Sequence, residues 1–294
     1  MKYHVTHTTG YRYSQPASLS QNELFLTPRS TSRQQVLQTQ LSFAPQPQYL
    51  HRRIDYFGNV VHVFMAEQPH STLALTATST VRTAPGPRIE PESTLPWEEV
   101  VRRLQAHTTL EDLEACQFIF ASPMVAIDND IQAYGRASFP SGMPVLAGGV
   151  DLMRRIFTEC IYDKAASTVD TPVHQVLSNR RGVCQDFSHL ALACLRSLGL
   201  AARYVSGYLE TLPQPGKTKL VGTDASHAWV ALYVPDEGWV DLDPTNNLLP
   251  GERHITLAWG RDYSDVAPVK GVVMGGGQHT LTVEVDVTRV GEEG

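Results

Sequence analysis

The sequence predicts an α+β protein, in which a β-rich first part precedes a core of helices packed on an antiparallel sheet. Two observations support this fold class. Side chains alternate in character or are β-branched over residues 1 to about 84, which is typical of strands. Helical periodicity then dominates from residue 96 to residue 198, and strand-like segments return from residue 201 onward.

The first part contains several short segments with strand character. Turn-forming residues separate them at Gln15-Pro16, at 45–47 and at Gly58-Asn59. Strands of this length and spacing are typical of a small β-sandwich. The predicted strands are 3–8, 35–43, 60–64 and 73–81.

A proline-rich stretch separates the two parts of the chain. Residues 84–87 read Ala-Pro-Gly-Pro, and Glu90-Pro91 follows shortly afterwards. Such a run disfavours both helix and strand and is typical of a linker between domains. We therefore predict a β-rich N-terminal domain over residues 1–87 and a core domain over residues 88–294.

The core domain is predicted to contain a series of helices followed by strands. The helices are predicted over 96–106, 110–119, 150–162, 172–178 and 184–198. The strands are predicted over 202–208, 219–221, 225–234, 238–243 and 280–288. The last strand lies near the C-terminus and can return to either sheet.

Composition excludes several functional classes. The net charge is −6, and arginines occur as isolated doublets rather than as a basic patch, so we expect no nucleic-acid partner. No uncharged apolar stretch is long enough to span a bilayer, and the first residues lack the apolar segment of a signal peptide. We therefore expect no membrane partner and a cytoplasmic location.

Cysteine usage points to free thiols. The four cysteines are widely spaced, without a CxxC motif and without histidines at the spacing of a zinc site. This pattern fits a reducing compartment. We expect neither a bound metal nor a cofactor.

Cys184 stands at the start of the most regular predicted helix. Apolar residues follow it at offsets of 3, 6, 7, 10, 11 and 14, and Gly199 provides the helix end. A thiol in the first turn faces unpaired backbone N–H groups and the positive end of the helix dipole, which favour the reactive thiolate. A cysteine on an apolar stripe is equally compatible with core packing.

His227 and Asp243 are predicted to meet at one end of a β-hairpin. His227 lies at the head of strand 225–234, and Asp243 lies at the tail of strand 238–243. A four-residue loop would place the two side chains on opposite faces of the hairpin. A three-residue loop over 235–237 would place Asp243 opposite Trp229, as a same-face diagonal neighbour of His227. We predict the three-residue loop.

These three residues suit nucleophilic catalysis. A histidine next to Cys184 would supply positive charge to a thiolate and later return a proton to a leaving amine. A carboxylate would fix the tautomer of the imidazole and stabilise its charged form. The backbone N–H of Cys184 is the first oxyanion-hole donor we expect, and the sequence does not identify a second.

Several segments together resemble the transglutaminase-like superfamily of papain-type cysteine enzymes, and in particular bacterial two-domain proteins with a β-rich N-terminal domain. The first is the glycine–cysteine–helix arrangement at 182–198. The next are His-Ala-Trp-Val at 227–230 and Trp-Val-Asp-Leu-Asp-Pro-Thr-Asn at 239–246. The segments 55–59 and 260–266 extend the resemblance over nearly the whole chain. It implies that Cys184 is the nucleophile, His227 the base and Asp243 the orienting acid.

Further residues are weaker candidates for substrate contact. Asp186 is interpreted chiefly as a helix cap, Trp229 as a packing residue, and Tyr263 as either a structural residue or a wall of the cleft. Asp241 should share a face with His227 and is the rival of Asp243.

The shared chemistry of these residues is acyl transfer through a thioester on Cys184. Hydrolysis of a peptide or amide bond in a peptide or protein substrate is the first hypothesis, because no calcium loop or dedicated amine pocket is evident. Transfer to an amine, as in a transglutaminase, is the alternative. A non-catalytic binding or scaffold protein is the second alternative, although a scaffold has no need of all three groups.

Overall fold

The structure is a computed structural model that describes residues 1–86, 88–107, 109–211 and 226–291. It contains a seven-stranded sheet, a four-stranded sheet and a two-stranded pair. The predicted fold class is confirmed. The strands in chain order are β1 (Lys2–Leu24), β2 (Gln34–Ala44), β3 (Tyr49–Ile54), β4 (Val60–Ala66), β5 (His70–Thr83), β6 (Ile161–Tyr162), β7 (Arg181–Gly182), β8 (Ala202–Leu209), β9 (Ser226–Val234), β10 (Gly238–Leu242), β11 (His254–Gly260), β12 (Val269–Gly275) and β13 (His279–Val290).

Helices occupy mainly the middle of the chain. They are α1 (Trp97–Ala106), α2 (Leu110–Cys116), α3 (Asn129–Arg136), α4 (Val145–Glu159), α5 (Val173–Asn179), α6 (Cys184–Ser197) and α7 (Tyr263–Val266), with a short 3₁₀ turn at Pro91–Ser93. Each of the five predicted helices is present. The unpredicted elements are helices α3 and α7 and strands β3, β6, β7, β11 and β12. The predicted helix 150–162 ends too late, because α4 stops at Glu159 and residues 161–162 form β6. The predicted strand 219–221 and Pro87 of the predicted linker lie outside the described residues.

The seven-stranded sheet curls into a sandwich because β1 takes part in both of its halves. Residues 2–12 of β1 pair with β5 on one side and β13 on the other, whereas residues 20–24 pair with β4 and β12. The ring centroids of Phe43 in β2 and Phe64 in β4 lie 5.0 Å apart between the two halves. This arrangement agrees with the predicted β-sandwich.

Strand β1 runs through the turn that was predicted at Gln15-Pro16, and that turn prediction is wrong. The pairing of β1 with β5 becomes irregular between Arg12 and Ala17, which accommodates a proline without a backbone N–H. The predicted C-terminal strand pairs with β1 over residues 279–290. Strand β13 therefore lies in the same sheet as β1.

Helix α6 lies at the centre of the core. Its residues from Asp186 to Arg196 are all buried, because α3, α4 and α5 pack around it and β8 and β9 cover its remaining side. The Asp186 carboxylate accepts a hydrogen bond of 2.7 Å from the backbone N–H of Val183 and so caps the first turn. Gly199, with φ of 80°, follows the end of the helix as predicted.

The four-stranded sheet has the order β10-β9-β8-β11, with helix α6 on one face. The other face carries a stack of alternating arginine and tryptophan side chains. The Arg203 guanidinium lies 3.7 Å from the ring centroid of Trp259 and 4.2 Å from that of Trp239. Arg29 from the first part of the chain covers the other side of Trp259 at 3.4 Å. The stack joins the N-terminal part to the core sheet.

We predict that Gly207→Ala destabilises the protein. A methyl group at this position in β8 would lie 2.3 Å from the carbonyl oxygen of Ile255 and 2.4 Å from the indole of Trp229. Overpacking of this kind costs roughly 1–3 kcal/mol of unfolding free energy, measurable by urea denaturation. Gly251→Ala, where the methyl group meets open space, is the matched control. Equal stability of the two variants would contradict the packing described for β8.

Candidate active site

The hairpin of β9 and β10 has the predicted register. Gly238 pairs with Val234 and Leu242 pairs with Val230, so the loop consists of residues 235–237. Positive φ angles at Asp236 (70°) and Gly238 (84°) form the tight connection. Asp243, the next residue after β10, therefore lies opposite Trp229 and on the same face as His227, as predicted.

Asp243 holds the imidazole of His227. The distance from His227 Nε2 to Asp243 Oδ2 is 2.7 Å. The Asp243 side chain is completely buried, and it accepts further hydrogen bonds from its own loop. The backbone N–H groups of Thr245 and Asn246 donate to Oδ1 at 3.0 and 3.2 Å, and the Asn246 side-chain amide donates to Oδ2 at 2.8 Å.

A second histidine, which the sequence did not indicate, also contacts Asp243. His254, the first residue of β11, places its Nε2 3.1 Å from Asp243 Oδ2. Its side chain is only 4% exposed. Nothing in the sequence near residue 254 links it to residue 243, because the contact forms only when β11 crosses to the far edge of the sheet.

These hydrogen bonds shift the titration of both members of the pair. Burial alone would raise the pKa of Asp243, but the hydrogen bonds from His227 and His254 outweigh burial and hold the pKa of this carboxyl well below its usual range. Burial alone would lower the pKa of His227. Its hydrogen bonds to Asp243 and Cys184, together with the charges of both groups, raise the pKa of His227 to about 10. The ring is therefore an imidazolium at neutral pH.

Cys184 completes the predicted group of three. It is the first residue of α6, half-buried, and its side chain hydrogen-bonds with His227. Because Nε2 of His227 faces Asp243, Nδ1 is the ring nitrogen left for the thiol. The backbone N–H of Cys184 belongs to the first helical turn, where N–H groups have no partner within the helix. Thiol, imidazole and carboxylate thus follow one another in the order that nucleophilic catalysis requires.

Two tyrosines lie around the thiol, and sequence reasoning did not predict either of them. Burial chiefly raises the pKa of Tyr162 and of Tyr204, and the nearby charge of Cys184 raises both further. Tyr263, a predicted substrate-contact candidate, packs edge-on against Tyr204 with ring centroids 6.3 Å apart. Tyr162 and Tyr204 therefore lie near Cys184, and Tyr263 packs against Tyr204.

Asp186 and Trp229, the other two candidates, point into the interior. Asp186 is 2% exposed, and its carboxylate accepts hydrogen bonds from the Ser167 hydroxyl at 2.5 Å and from the Val183 N–H. Burial raises the pKa of Asp186. Trp229 is completely buried and contacts the rings of both His227 and His254, with centroid distances of 6.0 and 5.2 Å. Their positions agree with the capping and packing interpretations.

Asp241 lies on the same face as His227, as predicted, but it has another partner. Its carboxylate forms a salt bridge of 2.9 Å with Arg33 from the N-terminal part of the chain. Asp243 is therefore the carboxylate that hydrogen-bonds with His227, and Asp241 pairs with Arg33.

His227, Asp243 and His254 form the one set of possible metal ligands found among the described residues, with ligand atoms within 4.8 Å of one another. These atoms already satisfy each other by hydrogen bonds, and a bound metal would have to replace the protons on both rings.

Among the described helices, none is long and apolar enough to cross a membrane.

Two family models match parts of this chain. A family model for the bacterial transglutaminase-like N-terminal region matches residues 3–82, and a model for the transglutaminase-like superfamily matches residues 141–244. An uncharacterized protein of Mycobacterium tuberculosis (strain ATCC 25618 / H37Rv) is 38% identical over 97% of this chain and 92% of its own length. The chain belongs to the transglutaminase-like superfamily. The resemblance stated from the sequence is therefore confirmed.

Two further proteins extend the comparison. An uncharacterized protein of Mycobacterium leprae (strain TN) is 36% identical over 97% of this chain and 98% of its own length. A crystal structure from Cytophaga hutchinsonii, described as a "putative cysteine protease", superposes with a TM-score of 0.76. The superposition covers 98% of this chain and 90% of that one at 22% identity, which shows a shared fold.

We predict that Asp243→Asn lowers the pKa of His227. In the wild type, NMR titration of the His227 ring should give a midpoint near 10. Without the carboxylate charge, burial should outweigh the remaining interaction with Cys184 and bring the midpoint well below 10. Asp236→Asn, in the exposed turn of the same hairpin, should leave it unchanged. A midpoint that stays near 10 in Asp243→Asn would contradict this electrostatic account.

The same pKa values predict how stability depends on pH. Because the folded-state pKa of His227 is raised above the ordinary 6.5, its contribution to stability is complete below about pH 6.5 and is lost as the pH rises through about 10. Urea unfolding between pH 6 and 10.5 should show this loss in the wild type. The loss of stability should be much smaller in Asp243→Asn. An equal loss in both proteins would refute the attribution of the raised His227 pKa to Asp243.

Proposed function

We propose that this protein is a cysteine-dependent peptidase or amidase that cleaves its substrate through a thioester on Cys184. The observation that carries the proposal is the chain of hydrogen bonds from Cys184 through His227 to the buried carboxylate of Asp243. An imidazolium next to a thiol stabilises the thiolate, which is the nucleophilic form. Membership of the transglutaminase-like superfamily is consistent with this chemistry.

Acylation would form one bond and break another. The Cys184 sulfur attacks the carbonyl carbon of the amide, and negative charge develops on the carbonyl oxygen. The backbone N–H of Cys184 and the positive end of α6 are placed to stabilise that charge. His227 then donates its Nδ1 proton to the leaving nitrogen, the carbon–nitrogen bond breaks, and an amine departs. The thioester remains on Cys184 beside a neutral His227.

Deacylation would restore the enzyme. Neutral His227 accepts a proton from water, the resulting hydroxide attacks the thioester carbon, and the carboxylic acid product leaves. Cys184 departs as a thiolate beside the regenerated imidazolium. Asp243 keeps the Nε2 proton on His227 throughout and compensates its positive charge, while the carboxylate itself stays ionised.

We place hydrolysis first because water needs no pocket of its own, and because the structural neighbour from Cytophaga hutchinsonii is described as a putative cysteine protease. Transfer to an amine is the alternative. A 76-residue stretch of this chain is 34% identical to the protein-glutamine gamma-glutamyltransferase of Pseudomonas aeruginosa. That stretch covers 26% of this chain and 11% of the Pseudomonas protein. It therefore supports acyl transfer as the common reaction more than it supports an amine as the acyl acceptor of this protein.

A scaffold role is less consistent with the site. Keeping a buried carboxylate ionised requires several hydrogen-bond donors, and a purely structural protein would be as stable with apolar side chains there. We also propose a reducing compartment such as the cytoplasm, which the four free cysteines support.

We predict that Cys184 reacts with iodoacetamide at neutral pH at least about tenfold faster than Cys194, since a thiolate is the reactive species. Burial raises the pKa of Cys194 above its ordinary value and shields this second thiol of α6 from solvent, so it gives the rate of an unactivated, buried thiol. Cys116, half-buried like Cys184, is the control matched in exposure, and it should also react at least about tenfold more slowly than Cys184. His227→Gln should slow the labelling of Cys184 and leave that of Cys194 unchanged. Equal labelling of the two cysteines in the folded protein would refute the nucleophile assignment.

Peptide incubation with a tagged primary amine should separate hydrolysis from amine transfer. We expect carboxylic acid products from the wild type and a loss of roughly 10²–10⁴-fold in rate for His227→Gln. Cys184→Ala should be inactive, whereas Cys116→Ala should retain wild-type activity. Tagged amide as the main product would overturn the preference for hydrolysis, and activity in Cys184→Ala would overturn the mechanism.

A further inference from the structure

His254 occupies a position that the three-residue mechanism does not explain. Its Nε2 lies 3.1 Å from Asp243 Oδ2, the same oxygen that accepts from His227 Nε2 at 2.7 Å. A carboxylate oxygen only accepts, so both imidazoles must carry a proton on Nε2. The tautomer of His254 is thereby fixed. Two histidine donors from different strands thus converge on one carboxylate oxygen.

The ring of His254 is held rigidly. Its indole neighbour Trp229 packs edge-on against it, with ring centroids 5.2 Å apart at an interplanar angle of 83°. The backbone N–H of His254 donates to the carbonyl oxygen of Gly251 at 3.0 Å, and His254 pairs with Leu209 in β8. A side chain with so little freedom loses little entropy when it makes its hydrogen bond.

The N-terminal part of the chain supports β11, which carries His254. The other long edge of β11 meets two side-chain amides in place of a further strand. Gln34 donates to the carbonyl of Thr256 at 2.7 Å and accepts from its N–H at 2.8 Å. Asn59 does the same with Trp259 at 2.8 and 3.0 Å. Strand β11 is therefore hydrogen-bonded along both edges, by β8 and by the N-terminal domain.

Three donors on Asp243 Oδ2 have a chemical consequence. The hydrogen bonds from His254 and Asn246 fix the direction of the carboxylate and make it less basic. The proton between His227 and Asp243 then stays on Nε2 of His227, and Nδ1 of the same ring faces Cys184. Without His254, Asp243 Oδ2 would lose one of its three donors, and the carboxylate would be held against His227 by its own loop alone.

We propose that His254 is a positioning residue of the active site, which donates from Nε2 to Asp243 and thereby keeps the carboxylate aligned with His227. The role rests on the proposed function, since it concerns the reactivity of Cys184. His254 touches neither the thiol nor a reacting atom. It acts through Asp243.

Glutamine and asparagine at position 254 provide a matched pair of variants. The glutamine amide nitrogen lies at about the reach of histidine Nε2, whereas the asparagine amide is one methylene shorter and stops short of Asp243. Both are polar and uncharged, so a loss of folding alone would affect them alike. His7→Gln and His7→Asn are controls, because His7 is a buried histidine of the N-terminal sheet whose ring nitrogens hydrogen-bond with Tyr208 and Thr9 and not with Asp243.

The measurement is the rate of Cys184 alkylation by iodoacetamide in the full-length protein between pH 5 and 10, followed by peptide mass spectrometry, with thermal unfolding of every variant. The charged and titratable groups that face His254 are Asp243 and His227 on one side, and Asp241 and Arg33 on the other. We expect His254→Asn to lower the rate at pH 7 by about tenfold or more and to change the shape of its pH profile. The rate for His254→Gln should stay within about threefold of the wild-type rate. Both His7 variants should react at the wild-type rate.

Two results would overturn the proposal in distinguishable ways. If wild-type Cys184 is activated and His254→Asn has the same rate and profile, or if His254→Gln loses as much reactivity as His254→Asn, His254 has no positioning role. If wild-type Cys184 reacts no faster than Cys194, the proposed function itself fails, and the role of His254 fails with it.

Discussion

The site is organised around one buried carboxylate. Asp243 is fully removed from water, and an ionised carboxylate in that environment is stable only when donors surround it. Its donors come from β9 through His227, from β11 through His254, and from its own loop through Thr245 and Asn246. The register of the hairpin and the course of the loop to β11 bring these donors to the carboxylate. The positive charge of His227 compensates part of the negative charge of Asp243. The same carboxylate therefore keeps the imidazole that faces Cys184 in its charged form.

The N-terminal domain supports the far side of this arrangement. Side-chain amides of Gln34 and Asn59 bond to the outer edge of β11, and Arg33 pairs with Asp241 on the sheet face next to Asp243. Arg29 covers Trp259, which completes the stack with Arg203. An edge strand with exposed N–H and C=O groups invites unwanted pairing, and these contacts close it. The two parts therefore depend on each other, and the C-terminal strands bind them further by pairing with β1.

Local sequence patterns were sufficient for the centre of the site. The period of α6, with Gly199 at its end, and the short loop before Gly238 are properties of consecutive residues, so they predicted where Cys184, His227 and Asp243 would lie. The same patterns failed where a structure depends on distant partners. Helix α3 is short and contains a glycine, and it is stable because its buried Ile131 and Tyr134 pack in the core beside α6. Strand β11 is defined by β8 and by amides that lie about 200 residues earlier. His254 could not be predicted for the same reason.

The most direct test of this account is the covalent intermediate. The full-length protein is mixed with an activated ester of an N-acylated amino acid, quenched in acid within seconds, and its mass and modified peptide are determined. The account predicts one added acyl group, on Cys184 alone, that disappears as acid product accumulates and does not form in His227→Gln. Acylation at another residue, or no acylation of Cys184 while substrate is consumed, would contradict it.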